Sequence, residues 1–290
     1  MLPESFLLNY VGFSADNAPI IDVQVGDELS RIEPLGRELS LEFDMTQRFC
    51  TGWLDFANHQ ALPCPDHAIV EGKYDQCITC RNKTGFNPAF YNAASVSDQQ
   101  QAINRNPHFL YLAYFAPGLV KVGISQEARG IRRLLEQGAR IALKLETFPS
   151  AEIARQYEAK IAAMDGIVEH VVGRKKLDTL SVAFDEASAV AELQRVVARI
   201  TAELGVAFDY AEIVRTAPWF HSGAIDLAKA VIMRDQPCIV GTVRAVIGHT
   251  ILLEHTDRLL AYDIKKFTGY RAKVDAGVKV ELPSEQLALF

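Results

Sequence analysis

Residues 108–125 read HFLYLAYFAPGLVKVGIS, and this stretch decides the fold of the middle of the chain. Its two apolar runs, 109–115 and 119–125, flank Ala116-Pro117-Gly118, which predicts a β-hairpin. A helix is predicted over 128–136, and the next apolar run, 141–148, predicts a third strand. Ser150 is a good N-cap for a second helix over 151–164, closed by Gly166. The predicted order is therefore strand, strand, helix, strand, helix.

Four positions in this segment carry chemistry. Tyr111 lies in Phe109-Leu110-Tyr111 on the first strand, Lys121 opens Lys121-Val122-Gly123 on the second, Arg133 lies on the first helix and Glu158 on the second. In the order of elements and in these positions, residues 108–161 resemble the GIY-YIG nuclease superfamily. Together with an upstream cysteine cluster and Glu136-Gln137-Gly138-Ala139, the segment looks like an uncharacterised bacterial family with this domain order. The resemblance covers residues 50–165 well and the flanks loosely.

The resemblance implies a three-stranded antiparallel sheet with helices and metal-dependent hydrolysis of a phosphodiester. In that scheme Glu158 binds Mg²⁺, Arg133 pairs with the phosphate, and Tyr111 orients or deprotonates the attacking water. The chain departs from the family at Phe109, in place of the first glycine, and at Lys121, in place of the second tyrosine. Lys121 would contact phosphate as a point charge or act as the base. A protein that only binds nucleic acid would keep the same basic groove.

Each of these residues also has an ordinary structural interpretation. Tyr111 on an apolar strand could be a core tyrosine. Glu158 beside an apolar stripe could be a surface carboxylate, and Arg133 could pair with Glu136 or with Glu158.

Basic residues are concentrated where the resemblance predicts a site. Residues 121–144 contain six bases and two acids, although the formal net charge of the chain is −6. The first 50 residues contain nine acids and three bases, which accounts for the whole acidic excess. We therefore expect a local nucleic-acid-binding surface, or else a solvated helix face. The predicted contacts are Lys121, Arg129, Arg132, Arg133 and Arg140.

Four of the five cysteines lie within 31 residues, at Cys50, Cys64, Cys77 and Cys80. The pair Cys77 and Cys80 has the spacing of a tight turn that presents two thiolates to one ion, and four thiolates suit structural zinc. His59 or His67 could replace Cys50 or Cys64 as a ligand. The alternatives are a redox dithiol at Cys77 and Cys80, or reduced core cysteines. Cys238 lies in an apolar strand, which predicts a buried thiol.

The chain as a whole is predicted to be α+β, with a GIY-YIG-like core beside a zinc-binding module and a β-rich domain that N-terminal and C-terminal strands form together. An amphipathic helix is predicted from Asp185 to Gly205. The predicted parts are 1–48 (β-rich), 49–106 (four-cysteine zinc module), 107–180 (core), 181–235 (helical), 236–282 (strands pairing with 1–48) and 283–290 (tail).

The tail carries a possible partner motif. Gln286, Leu287, Leu289 and Phe290 resemble the pentapeptide by which bacterial proteins dock on the DNA polymerase sliding clamp, although the same side chains could pack on the protein's own surface. The absence of a signal-peptide pattern and of a long apolar run predicts a cytoplasmic protein with no membrane partner. The functional hypothesis is a zinc-containing protein that acts on nucleic acid, with DNA expected first, by Mg²⁺-dependent hydrolysis in repair or replication. The alternative is a non-catalytic binding or adaptor protein that docks on the clamp.

Overall fold

The computed structural model describes residues 2–55, 60–87, 96–208, 212–234, 236–275 and 277–282. The fold is mixed α+β with several sheets. The strands in the described residues are β1 (Ser5–Phe13), β2 (Pro19–Val25), β3 (Glu28–Ile32), β4 (Glu38–Asp44), β5 (Trp53–Asp55), β6 (Gln60–Leu62), β7 (His108–Ala116), β8 (Leu119–Gln126), β9 (Ile141–Phe148), β10 (Ile167–Val168), β11 (Glu212–Arg215), β12 (Val231–Met233), β13 (Cys238–Ile247), β14 (Thr250–His255), β15 (Arg258–Asp263) and β16 (Arg271–Val274). The helices there are α1 (Ile78–Thr84), α2 (Asp98–Asn104), α3 (Arg132–Gln137), α4 (Ala151–Ala162), α5 (Gly173–Asp178), α6 (Glu186–Leu204) and α7 (Ala217–Phe220).

Strands from both ends of the chain share one nine-stranded sheet, in the order β12-β15-β14-β13-β4-β16-β1-β2-β3. β4 lies between β13 and β16 and is antiparallel to both, and β16 pairs in turn with β1. Alternating side chains of β4, Leu39, Leu41 and Phe43, are buried, which is the pattern of a strand with one face on a core. Phe43 stacks on Phe267 with ring centroids 4.3 Å apart. The predicted pairing of N-terminal with C-terminal strands is therefore observed.

A second sheet is built on the predicted hairpin, in the order β10-β8-β7-β9-β11. The three central strands are antiparallel, with Tyr111 on β7 opposite Gly123 on β8. This core sheet has five strands where three were predicted. β10 is only two residues long and β11 follows α6, so neither stands out as part of this sheet in the sequence.

Every residue of β7 is buried because helices cover both faces of the core sheet. One face carries Leu110 and Leu112 and packs against α4 and α6, and the other carries Phe109 and Tyr111 and packs against Leu134 of α3. A strand covered on both sides reads as a continuous apolar run, which is what residues 109–115 show.

Helix ends follow local rules. Asp185 caps α6 by accepting a hydrogen bond from the Ser188 amide at 2.8 Å, and the helix stops at Gly205 in a left-handed conformation with φ of 64°. The helix predicted over 128–136 is shorter, because Gly130 with φ of 50° and ψ of −142° separates a 3₁₀ turn from α3.

Two connections hold the cysteine-containing segment against the nine-stranded sheet. The Phe49 amide donates to the Gly269 carbonyl at 2.7 Å, and the Asn9 side chain donates to the Thr51 carbonyl at 2.8 Å. Within the segment, β5 pairs with β6 and α1 packs beside β5. No helix in the described part of the chain combines the length and the apolar character that a membrane span requires.

Candidate functional site

Four cysteine thiols form a compact cluster. The Sγ atoms of Cys50, Cys64, Cys77 and Cys80 all lie within 4.8 Å of one another, and all but Cys77 are buried. Sulfur atoms around a tetrahedral zinc ion lie about 3.8 Å apart, given a Zn–S bond of about 2.3 Å. The donor set and its spacing are therefore compatible with a structural zinc ion.

Backbone geometry prepares these thiols for a cation. Cys77 is the N-cap of α1, and its Sγ accepts a hydrogen bond from the Cys80 amide at 3.4 Å. The Cys77 amide donates to Cys50 Sγ at 3.1 Å. Burial alone would raise the pKa of Cys77, but hydrogen bonds from Cys80 and the neighbouring thiols outweigh it and lower that pKa, whereas burial raises the pKa of Cys50 to about 11. Such amide donors stabilise thiolates in metal sites.

The described residues settle the position of one of the two histidines that could replace a cysteine ligand. His67 pairs with Asp27, with Nε2 and Oδ1 3.2 Å apart, and is not in the cluster. His59 lies outside the described residues. Cys238 is buried in the nine-stranded sheet, as predicted, with its Sγ 3.8 Å from the Lys279 carbonyl oxygen.

A cavity of about 1960 Å³ lies where the core, the nine-stranded sheet and the cysteine-containing segment meet. Lys121, Arg133 and Glu158 line it from the core, and His249 lines it from the nine-stranded sheet. The cysteine-containing segment contributes Trp53 to the wall. Three of the four residues that the resemblance singled out therefore share one space.

Tyr111 is fully buried and lies behind this wall. Its ring centroid is 5.5 Å from Lys121 Nζ, and its hydroxyl has no hydrogen-bond partner in the described part of the chain. A Cβ added at Gly123 would lie 2.4 Å from this hydroxyl oxygen and 2.9 Å from Lys121 Nζ. Glycine is thus required at position 123 of β8, because the Tyr111 side chain of the neighbouring strand β7 occupies the space that a Cβ would fill.

The arginines of this region have different roles. Arg129 and Arg133 both pair with the buried carboxylate of Glu136, at 3.6 Å for Arg133, and the Tyr10 hydroxyl donates to the same carboxylate at 3.3 Å. Burial would raise the pKa of Glu136, but Arg129 and its neighbours outweigh burial and lower it. Arg133 therefore pairs with Glu136, one of its two ordinary interpretations. Arg132 also lines the cavity.

Arg140 departs from the predicted binding surface. Its guanidinium donates to the carbonyl oxygens of Val182 at 2.7 Å, Thr179 at 3.1 Å and Leu180, and it does not line the cavity. These three hydrogen bonds hold the segment before α6 against the core sheet, so Arg140 has a structural role outside the cavity.

Glu158 is buried and not a surface carboxylate. Arg155, one turn earlier on α4, donates to Glu158 Oε2 and also pairs with Glu169 at 2.6 Å. Burial raises the pKa of Glu158, against the lowering effect of Arg155 and of Lys121. The fit to Mg²⁺ is poor, because an arginine already holds one Glu158 oxygen and the described residues contain no group of three acidic or histidine ligands here.

Sequence reasoning missed the far side of the cavity. Lys176 on α5 donates to the Gln137 carbonyl at 2.6 Å, and burial together with Lys121 and Arg133 lowers its pKa to about 8. His249 faces the same group, and burial, Lys265 and Lys176 lower its pKa to about 4. No motif marks these residues, because they reach the cavity only through contacts between distant segments.

Comparison with known proteins gives one match. The family described as "Protein of unknown function (DUF2797)" matches residues 36–272, which include the cysteine cluster, the core sheet and most of the cavity wall. No curated protein and no solved structure matches the chain. The chain belongs to the DUF2797 family of proteins of unknown function.

Proposed function

We propose that this protein binds nucleic acid, with the sugar–phosphate backbone in the cavity that Lys121, Arg133 and Glu158 line. The observation that carries the proposal is the collection of cations in that cavity. Eight Lys and Arg side chains and six carboxylates line it among the described residues, in a chain with a net charge of −6. Phosphate groups are the partners that such a local excess attracts.

The carboxylates of the cavity strengthen this argument. Glu136 is held by Arg129 and Arg133, and Glu158 and Glu169 are both held by Arg155. No carboxylate in the described residues lies within 4.0 Å of Lys121 Nζ, which donates to the Val122 carbonyl at 2.9 Å. A buried lysine without a carboxylate partner is suited to an anionic ligand.

The test measures binding of labelled single-stranded, duplex and branched DNA and RNA by fluorescence anisotropy. Lys121→Gln with Arg133→Gln removes two cavity cations. Arg195→Gln with Arg174→Gln makes the same charge change at two exposed residues that do not line the cavity. We expect the cavity variant to bind at least about tenfold more weakly and the control variant to bind like the wild type. Equal affinity of the cavity variant and the control would reject the cavity as the binding site.

Hydrolysis of the phosphodiester is the second candidate, favoured by the proximity of Lys121 to Glu158. In this reaction Lys121 and Arg133 would bind the phosphate oxygens, and Glu158, whose pKa burial raises, would take the proton of the attacking water as its oxygen bonds to phosphorus. The P–O bond to the leaving sugar oxygen would break, and Glu158 would return the proton to that oxygen. Tyr111 would position Lys121 from behind. Cleavage that is lost in Glu158→Gln while strand binding persists is the expected result, and cleavage that is undiminished would remove Glu158 from the reaction.

Three further proposals complete the hypothesis. We propose that the four cysteines bind structural zinc and that the core sheet with α3 and α4 is a GIY-YIG-like core. Docking on the sliding clamp through Gln286, Leu287, Leu289 and Phe290 remains a proposal about residues outside the described ranges. Equal clamp affinity of the full chain and of a chain truncated after Ser284 would end it.

A further inference from the structure

Three cations from three different elements lie close enough to one another to interact. Lys121 comes from β8, Arg133 from α3 and Lys176 from α5, and all three line the cavity. Lys121 and Lys176 each donate one hydrogen bond to a backbone carbonyl, at 2.9 Å and 2.6 Å. An ammonium group has three donors, so both lysines keep donors for a ligand.

The carboxylates near this trio do not neutralise it. Glu136 is the carboxylate that pairs with Arg133, at 3.6 Å, but it also binds Arg129. Glu158 is held by Arg155. On the side of the nine-stranded sheet, Asp263 acts on Lys176 but lies beside Lys265 and Lys266, which offset its charge.

The three cations repel one another in a partly buried space. Burial is the main reason for the lowered pKa of Lys176, and Lys121, Arg133 and Lys265 lower it further. Close cations at a desolvated site cost free energy unless an anion joins them. A ligand that carries more than one negative charge on a single group would therefore stabilise these three cations best.

An internal phosphodiester carries one negative charge, whereas a terminal phosphate monoester carries close to two at neutral pH. We propose that the trio of Lys121, Arg133 and Lys176 binds a terminal phosphate monoester of a nucleic-acid strand, and that Lys176 distinguishes this end from an internal phosphate. The inference rests on the proposed nucleic-acid binding and narrows it to strand ends. Lys121 and Arg133 are enough to bind the single negative charge of an internal phosphodiester, and Lys176 supplies the third cation that binds the second charge of a phosphate monoester.

The experiment measures binding of three labelled oligonucleotides of one sequence, with a 5′-phosphate, with a 3′-phosphate or with hydroxyl groups at both ends. The proteins are the wild type, Lys176→Gln and Lys175→Gln. Lys175 is an exposed neighbour on α5 that does not line the cavity, so its variant is a matched control. A mononucleotide with a 5′-phosphate is added as a competitor, and melting temperatures establish that each variant is folded.

The wild type and Lys175→Gln should bind one phosphorylated strand about tenfold more tightly than the hydroxyl strand. Lys176→Gln should lose this preference, because it should weaken binding of the phosphorylated strand about tenfold more than binding of the hydroxyl strand. Binding of all three strands with equal affinity by the wild type would overturn the inference but leave the proposed function intact. A preference for the phosphorylated strand that persists in Lys176→Gln would show that Lys176 does not recognise the terminal phosphate. A mononucleotide that binds as tightly as the strand would show that the ligand is a free nucleotide and not a strand end. If no strand binds, both proposals fall.

Discussion

Gly138 and Gly248 meet backbone to backbone where the core joins the nine-stranded sheet. A Cβ added at Gly248 would lie 3.0 Å from the Cα and the nitrogen of Gly138, and one added at Gly138 would lie 3.3 Å from the same atoms of Gly248. Both residues have positive φ, 72° and 61°. Gly138 ends α3 and Gly248 forms the turn between β13 and β14, so this contact brings His249 next to Arg133 and Glu136.

Alanine at Gly248 is expected to lower the free energy of unfolding by about 2–3 kcal/mol, because it adds a backbone clash to the cost of a left-handed alanine. Gly205→Ala is the control, since Gly205 has a similar φ of 64° at a helix end but has open space around it. The control should lose only about 1 kcal/mol. Chemical denaturation measures both, and equal losses would show that the contact between the two glycines contributes nothing.

Removal of one cysteine of the cluster is expected to remove the metal. The purified protein should contain one zinc ion per chain, and Cys80→Ser should contain much less, because three thiolates bind zinc more weakly than four. A chelator should lower the melting temperature of the wild type by about 5–10 °C. Cys238→Ser, remote from the cluster, should keep its zinc. If the purified wild type contains no metal and the chelator does not change its melting temperature, the four cysteines pack as reduced thiols and do not bind zinc.

The pair formed by Arg155 and Glu158 is expected to show strong coupling in a double-mutant cycle. Their side chains are 11% and 7% exposed, so loss of Arg155 leaves a buried carboxylate without its main partner. Arg155→Met should cost about 2–4 kcal/mol, and adding Glu158→Met should restore part of it. The control is the pair of Arg31 and Asp22, 2.8 Å apart with Arg31 57% exposed, whose coupling should stay below about 1 kcal/mol. Additive effects at Arg155 and Glu158 would contradict a buried ion pair.

His249 is expected to make stability depend on pH below neutrality. Its pKa is about 4 in the fold, against 6.5 for an ordinary histidine, because of burial and the nearby lysines. Between these values the unfolded chain binds a proton that the folded chain does not. The contribution of the neutral His249 to the free energy of unfolding is therefore fully present above pH 6.5 and is lost as the pH falls towards 4.

The size of this effect is about 2 kcal/mol between pH 7 and pH 5. Denaturation of His249→Gln at both pH values should show most of that difference removed, while His170→Gln, at an exposed position, should keep the dependence of the wild type. Identical pH profiles for His249→Gln and the wild type would mean that other groups cause the acid sensitivity.

Much of the core could be predicted because its signals are local. The hairpin, the third strand and the caps Ser150 and Asp185 depend on residues within a few positions of one another, and the structure has each of them. The four cysteines were recognised because of their clustering in sequence. The structural contacts of Arg140 could not be predicted, because charge alone does not reveal that a guanidinium donates to backbone carbonyls.

Signals within the sequence are enough to predict the hairpin, the helices that follow it and the set of four thiols, because hydrogen bonding, capping and ligand type act over short distances along the chain. No signal in the sequence indicates that Lys121, Arg133 and Lys176 share one cavity, that Arg155 holds Glu158, or that Gly138 meets Gly248. Each of those relationships is set by how the separate sheets and helices pack, and packing depends on the complementary shapes of surfaces that lie far apart in the sequence.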